Sequence, residues 1–295
     1  MLSEKKQTIC IVSPSGAVNP DYIDGAKLRL QSWGFEVKEG KYTREKFGRY
    51  AGTEEQRISD LQDAIDDENN DFILCSRGGY GVSQMIDKLD FSPLKKKHKW
   101  LIGFSDISII HAALSNIEIP SVHAVMTKQI ATLDEDCSSL TYLKAVLHSA
   151  SPIYKVPSHP FNIVGNTQGK LIGGNLSVIA GLRGTPYDLN YDDAVLFIED
   201  VGEEPYKIDR LLQNFRLGGV FDKIAGLIVG HFSDYKEDFL MNKTLMEIIR
   251  DIASEYKFPV CFGFPAGHED ENYPLILGGK AKLDVTKSET ILEFV

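Results

Sequence analysis

The chain contains no run of about 18 apolar residues, so no segment is long enough to cross a bilayer as a helix. Cysteine is scarce. Cys10, Cys75, Cys137 and Cys261 stand alone, none of them in a C-x-x-C pair, and three lie inside apolar runs. That usage points to reduced thiols in a cytoplasmic protein, away from a disulfide scaffold or a structural zinc site. There is no H-E-x-x-H pair and no P-loop Gly-Lys-Ser/Thr, so the best-known zinc-peptidase and nucleotide signatures are missing. Positive charge is in deficit: 32 basic residues face 42 acidic ones, a net charge of −10. Such a surface repels a nucleic-acid backbone and an anionic lipid face, so neither is an expected partner. The opening residues carry two lysines but only a short apolar stretch before Pro14, too short for a secretory leader. We find no internal repeat and no low-complexity tract.

What is present is a soluble composition, 43% hydrophobic and 25% charged over 295 residues, a length that suggests two domains. In the first half, apolar runs at 8–13, 35–38, 71–76, 100–104 and 121–125 alternate with amphipathic stretches at 22–33, 54–67, 82–89 and 107–116. Thr53 and Gln56 form a capping box at the second of these helices. Strands alternating with helices imply βαβ units, so residues 1–136 read as a doubly wound, mostly parallel α/β domain. Residues 137–167 read as a helix (139–148) followed by a linker, because Pro152, Pro157 and Pro160 argue against regular structure. Residues 168–295 read as a mixed α/β domain with antiparallel strands. Its strands are expected at 194–198, 224–230 and 259–264, its helices at 206–215 and 243–256, and a hairpin turns at Lys287-Ser288.

Four places could carry chemistry. In Gly103-Phe104-Ser105-Asp106 an apolar run passes straight into a helix. A serine there can be a nucleophile presented above the sheet, or Ser105 or Asp106 can simply cap the helix. Arg77-Gly78-Gly79-Tyr80-Gly81 follows a strand, so its amides could cradle an oxyanion or phosphate, or form only a tight turn. Gln84 stands where a dinucleotide fingerprint needs its third glycine. Glu199 and Asp200 end a hydrophobic strand, where side chains of α/β folds face the ligand crevice. Asp200 and Glu203 read as solvated loop residues, and Glu199 admits that reading too. His268 follows a Gly-Phe-Pro-Ala-Gly turn. With Glu269 or Asp270 it could hold a metal, although no second histidine supports this. His111, His123 and His231 read as packing residues. Together the sequence supplies Ser, Glu and His in chain order, each after a strand, plus a glycine turn for oxyanion donors. That is the set needed for acyl transfer by a serine.

The motifs IVSPSG, AGTEEQRISDLQDAI, SRGGYG, WLIGFSDIS, GGNLSVIAGLRGTPY, LFIEDVGEEPYKIDRLL and GFPAGHEDEN occur in an order that resembles the LD-carboxypeptidases, a family of serine peptidases. The resemblance covers nearly the whole chain. It implies Ser105 as nucleophile, His268 as base and Glu199 as its partner, with Asn272 closing the histidine motif. The N–H groups of Gly79 and Asp106 would then form the oxyanion hole, with Arg77, Gly78 and Tyr80 near the substrate. Arg77 is the first candidate for a substrate carboxylate, ahead of Arg183 and Arg210. The family implies a cytoplasmic homodimer with no cofactor or metal, removing terminal D-alanine from murein tetrapeptide. Ser108 replaces a usual threonine, and Tyr273 to Leu277 depart from a usual leucine-proline-leucine. The family also includes microcin C immunity peptidases, which cut a peptidyl-nucleotide amide, so that substrate is the alternative. From another class, a non-catalytic two-domain peptide-binding protein is the alternative, separable by fluorophosphonate labelling.

Overall fold

The computed structural model describes residues 6–295 and resolves the first half into β1 (Thr8–Val12), α1 (Pro20–Ser32), β2 (Glu36–Glu39), α2 (Glu54–Asp66), β3 (Phe72–Cys75), α3 (Pro93–Lys96), β4 (Trp100–Gly103), α4 (Ser108–Asn116), β5 (Ser121–His123), α5 (Thr127–Thr132) and α6 (Ser138–Leu147). The first five residues of the stretch read against a leader lie outside the described residues. The second half runs β6 (Ile153–Pro157), β7 (Gly165–Asn175), α7 (Leu176–Ala180), β8 (Val195–Val201), α8 (Pro205–Leu217), β9 (Gly226–Ser233), α9 (Leu245–Ala253), β10 (Val260–Phe262), β11 (Leu275–Leu277), β12 (Lys280–Val285) and β13 (Glu289–Phe294). Among the described residues no helix is long and apolar enough to cross a membrane.

Local chemistry sets the helix starts. The Asn19 side chain accepts from Asp21 N ahead of Pro20, and Thr53 with Gln56 makes the expected capping box on α2. In the first sheet the order is β2-β1-β3-β4-β5-β11, parallel from β2 to β5. Side chains alternate across it. Ile9, Ile11, Phe72, Leu74 and Ile102 pack with α1, α5 and α6 on one face, whereas Cys10, Val12, Ile73, Cys75 and Leu101 pack with α2 and α4 on the other. Helices on both faces of a parallel sheet make the doubly wound arrangement.

The second sheet is mixed, with the order β10-β9-β8-β7-β12-β13-β6. Strands β7 to β10 are parallel, and β12, β13 and β6 run antiparallel. The second of the two apolar faces of the first sheet continues without a break into Ile172, Leu196, Ile198, Ile208 and Leu212, so the two halves share one core.

Three expectations need correction. The proline-rich stretch is not irregular throughout, because β6 occupies Ile153–Pro157 and β7 begins at Gly165. Strand β6 is an edge, where a proline lacking its N–H is tolerated. The helix expected at 82–89 is instead two short 3₁₀ turns, Val82–Gln84 and Ile86–Lys88. The two turns break at Met85, φ −128°, and their start is anchored to other segments, since Val82 N–H donates to Asp106 and Gly81 C=O accepts from Arg57 as well as from Gln84 N. Finally, β11 leaves the second half and pairs antiparallel with β5 of the first sheet, which no local pattern announces.

Candidate active site

Strand β4 ends at Gly103, Phe104 is extended, and Ser105 turns the chain at φ 68° before a 3₁₀ turn (Ser105–Ile107) enters α4. A non-glycine residue held there costs on the order of 1–3 kcal/mol and persists only where its surroundings over-determine it. Those surroundings are visible. Buried Asp106 accepts from Ser15 Oγ at 2.6 Å and from Val82 N at 3.1 Å, so its carboxylate ties the corner to two other loops. Burial pushes its pKa up, while these two donors pull it back. Behind the corner, His111 joins Gly103 O and Ser121 Oγ, both at 2.8 Å, which makes it a packing residue as expected.

The glycine turn lies directly against this corner. A Cβ built on Gly78 would stand 2.7 Å from Ser105 Cβ and 2.9 Å from its Oγ, and Gly79 takes φ 119°. Only glycine gives that approach. Gly78 C=O accepts from Gly16 N at 3.1 Å, and the Arg57 guanidinium donates to Pro14 O and Gly81 O, each at 3.0 Å. Among the described residues neither Gly79 N–H nor Asp106 N–H donates to another group of the chain. Gly78→Ala is expected to displace Ser105 and lower kcat by about 10²-fold, the scale of a 1 Å misplacement. Its far-ultraviolet circular dichroism should be unchanged, and wild-type kcat in this variant would refute the reading of that contact.

Glu199 lies within the last three residues of β8, at a register shift against β9, with no solvent exposure, and its Oε2 accepts a 2.7 Å hydrogen bond from His268 Nδ1. A carboxylate only accepts, so Nδ1 carries the proton and Nε2 is left as a base on the cleft side. Burial by itself lowers the His268 pKa, but the hydrogen bond and charge of Glu199 outweigh it and the net shift is upward. Burial raises Glu199, and His268 opposes that. Gly267 allows the approach, since a Cβ there would meet Glu199 Oε2 at 3.1 Å. Asn272 holds the loop: its Oδ1 accepts from Gly267 N at 3.0 Å and from His123 Nε2 at 3.2 Å, and its own N–H donates to Ser139 Oγ. The Phe104 ring meets the His268 ring edge-on at 4.8 Å.

Ser105 and His268 line one cleft of about 570 Å³, together with Arg77, Gly78, Gly79 and Phe104. No hydrogen bond among the described residues joins Ser105 to His268. Other expectations fare differently. Tyr80 does not line this cleft; it borders a neighbouring hollow with Arg49 and Arg77. Arg183 lies over Tyr191 and Phe215 and pairs with Asp188, and Arg210 lies over Tyr206, so neither reaches the cleft. Asp200 is not solvated. It is buried and accepts from Asn175 Nδ2, Ser177 N and Val201 N, fixing the start of α7. Lys128 and Gln129, at the start of α5, line the cleft and were not singled out in the sequence. The available signal was their position just past β5, at the same edge of the sheet as Ser105. Among the described residues no cluster of three or more His, Cys, Asp or Glu side chains is arranged to hold a metal ion.

Comparison with known proteins gives the chain's family. Residues 9–124 match the family model "LD-carboxypeptidase N-terminal domain" and residues 168–283 match "LD-carboxypeptidase C-terminal domain". A Bacillus subtilis protein named "probable murein peptide carboxypeptidase" is 30% identical over 298 residues, covering 98% of this chain and 92% of the relative. The crystal structure of muramoyltetrapeptide carboxypeptidase from Oxalobacter formigenes superposes with a TM-score of 0.90 at 28% identity, covering 98% of each chain. The microcin C7 self-immunity protein of Escherichia coli is 26% identical, covering 86% of this chain and 83% of that protein. With both halves matched in order and the fold shared over nearly the full length, the chain belongs to the LD-carboxypeptidase family.

Proposed function

We propose that the protein is a serine carboxypeptidase that removes the terminal D-alanine from a murein tetrapeptide, with Ser105 as nucleophile, His268 as general base and acid, and Glu199 as its anchor. The observation that carries this reading is the union, in one cleft, of a serine on a strained strand-to-helix corner and an imidazole bonded to a buried carboxylate. Ser105 Oγ attacks the carbonyl of the scissile bond while His268 Nε2 takes its proton. The oxyanion that forms is met by Gly79 and Asp106 N–H groups, each such donor contributing about 3 kcal/mol. His268 then protonates the leaving amine, and water resolves the acyl-enzyme by the same steps in reverse. The attack requires Oγ to come within reach of Nε2, a contact that commonly tightens only in the substrate complex. A cytoplasmic location and a homodimer go with this reading on the family likeness alone.

Incubation of the pure protein with murein tetrapeptide, read by mass spectrometry, should show loss of one alanine. The likeness to the microcin C7 self-immunity protein supports a second substrate, a peptidyl-nucleotide amide, cut by the same three residues. Cleavage of a peptidyl-adenylate mimic with no loss of alanine from the tetrapeptide would move the protein to that branch. Failure to react with a fluorophosphonate at Ser105 would instead favour a binding protein.

The pH dependence follows from the Glu199 contact. Attack needs neutral His268, so kcat/KM rises with pH as the imidazolium loses its proton. Because Glu199 raises that pKa, the inflection is expected above the ordinary imidazole value of about 6.5. A rate that falls with rising pH through neutrality would reverse the assignment.

A further inference from the structure

The cleft departs in sign from the rest of the molecule. In a chain of net charge −10, its lining carries Arg77, Lys128 and His268 and, among the described residues, no carboxylate. Sheet topology explains how the first two come together. Ser105 follows β4, which lies between β3, leading to Arg77, and β5, leading to α5 and Lys128. Thr127 closes the gap: its N–H and its Oγ1 both donate to Ser76 O, at 3.3 and 2.7 Å. Arg77 and Lys128 are thus the next residues along from a fixed backbone contact, beside the nucleophile. Arg77 Nη1 donates to Ala17 O, which orients its guanidinium, and among the described residues its other donors have no partner. Lys128 Nζ makes no hydrogen bond or ion pair among the described residues, although the surrounding chain is rich in acids.

Two cations that line one cleft with no carboxylate beside them among the described residues favour an anionic ligand there. We infer that Lys128 acts with Arg77 as the recognition pair for a substrate carboxylate, the free C-terminal carboxylate of the residue to be released. This rests on the proposed carboxypeptidase reading and adds how the site distinguishes a chain end from an internal bond. The oriented guanidinium supplies planar, bidentate recognition and the ammonium supplies a second point charge. A peptide whose C-terminus is amidated presents no charge to this pair and leaves both cations uncompensated.

The test separates recognition from turnover. Binding of murein tetrapeptide and of its C-terminal amide is measured by calorimetry on the Ser105→Ala protein, which holds substrate without consuming it. The free acid should bind about 10- to 100-fold more tightly than the amide, the range of a charge-assisted contact, and the preference should shrink as salt is raised. Adding Lys128→Met should bring the free acid down towards the amide, and Lys128→Arg should restore most of the difference. Lys128 is exposed, so neither change threatens the fold. Equal affinity for acid and amide in Ser105→Ala, or a preference untouched by Lys128→Met, overturns the inference. Turnover of the tetrapeptide by wild-type protein is scored separately: an acid preference that depends on Lys128, with no alanine released, keeps this inference and removes the hydrolytic reading.

Discussion

Replacing Ser105 with alanine is expected to lower kcat on murein tetrapeptide on the order of 10⁶-fold. The size follows from what the hydroxyl alone supplies. Without Oγ no acyl-enzyme forms, and His268 has no nucleophile to deprotonate. What remains is the binding cleft and the two N–H groups proposed for the oxyanion, which by analogy with other serine hydrolases sustain only a residual 10³- to 10⁴-fold advantage over water. The variant also isolates chemistry from folding. Alanine keeps the serine Cβ, so the strain at φ 68° is unchanged, and among the described residues Ser105 Oγ makes no hydrogen bond. Equal melting temperatures with activity reduced to background is the expected pair of measurements. Retention of a tenth of wild-type activity would show that another group attacks.

Glu199→Gln should cost about 10⁴-fold in kcat, less than the loss of the nucleophile because the base survives in altered form. Glu199 accepts from His268 Nδ1, and in the proposed mechanism it thereby holds the proton on Nδ1 and stabilises the imidazolium that appears when Ser105 is deprotonated. An amide of the same shape fills the same buried space but can present its N–H₂ to the ring, favouring the tautomer with the proton on Nε2, where no base is then available. A second readout separates this from a packing defect. With the anion removed, the largest upward pull on His268 is lost, leaving the weaker ones of Asp200 and Asp234 against burial, so any residual activity should show its pH inflection shifted downward relative to wild type. A variant of full activity, or one with an unmoved inflection, would leave Glu199 a packing residue.

The two halves of the site differ in how far they could be read before folding. The corner at Ser105 is local: a strand of Trp-Leu-Ile-Gly, a serine, then a helix face, all within a dozen residues. The glycine turn is local as well, and so is the capping box on α2. Such features rest on neighbouring residues, whose backbone angles and side-chain spacing follow from sequence directly. The fate of 82–89 could not be read this way. Its apolar spacing favours a helix, but the chain leaves helical angles at Met85, φ −128°, while Asp106 and Arg57 from other segments anchor its start at Val82 and Gly81. Asp200 misled for the same reason. An acid beside Gly202 looks solvated until β7 and α7 close over it with Asn175 and Ser177. Lys128 carried no motif and became visible only when Thr127 met Ser76.

By itself the sequence determined the alternation of strands and helices, hence a parallel sheet covered on both faces, and the order of a serine, a glutamate and a histidine after strand ends. Hydrophobic periodicity decides the first because it acts between near neighbours, and the chain order decides the second. Only the tertiary structure decided that Glu199 and His268, 69 residues apart, meet at 2.7 Å, and that β11 returns to close the first sheet against β5. It also decided that the cleft of an acidic protein carries Arg77 and Lys128 and, among the described residues, no carboxylate. Those outcomes depend on which faces share a core. A side chain's charge, tautomer and reach are set by groups that approach through space, and nothing in the spacing along the chain encodes that approach.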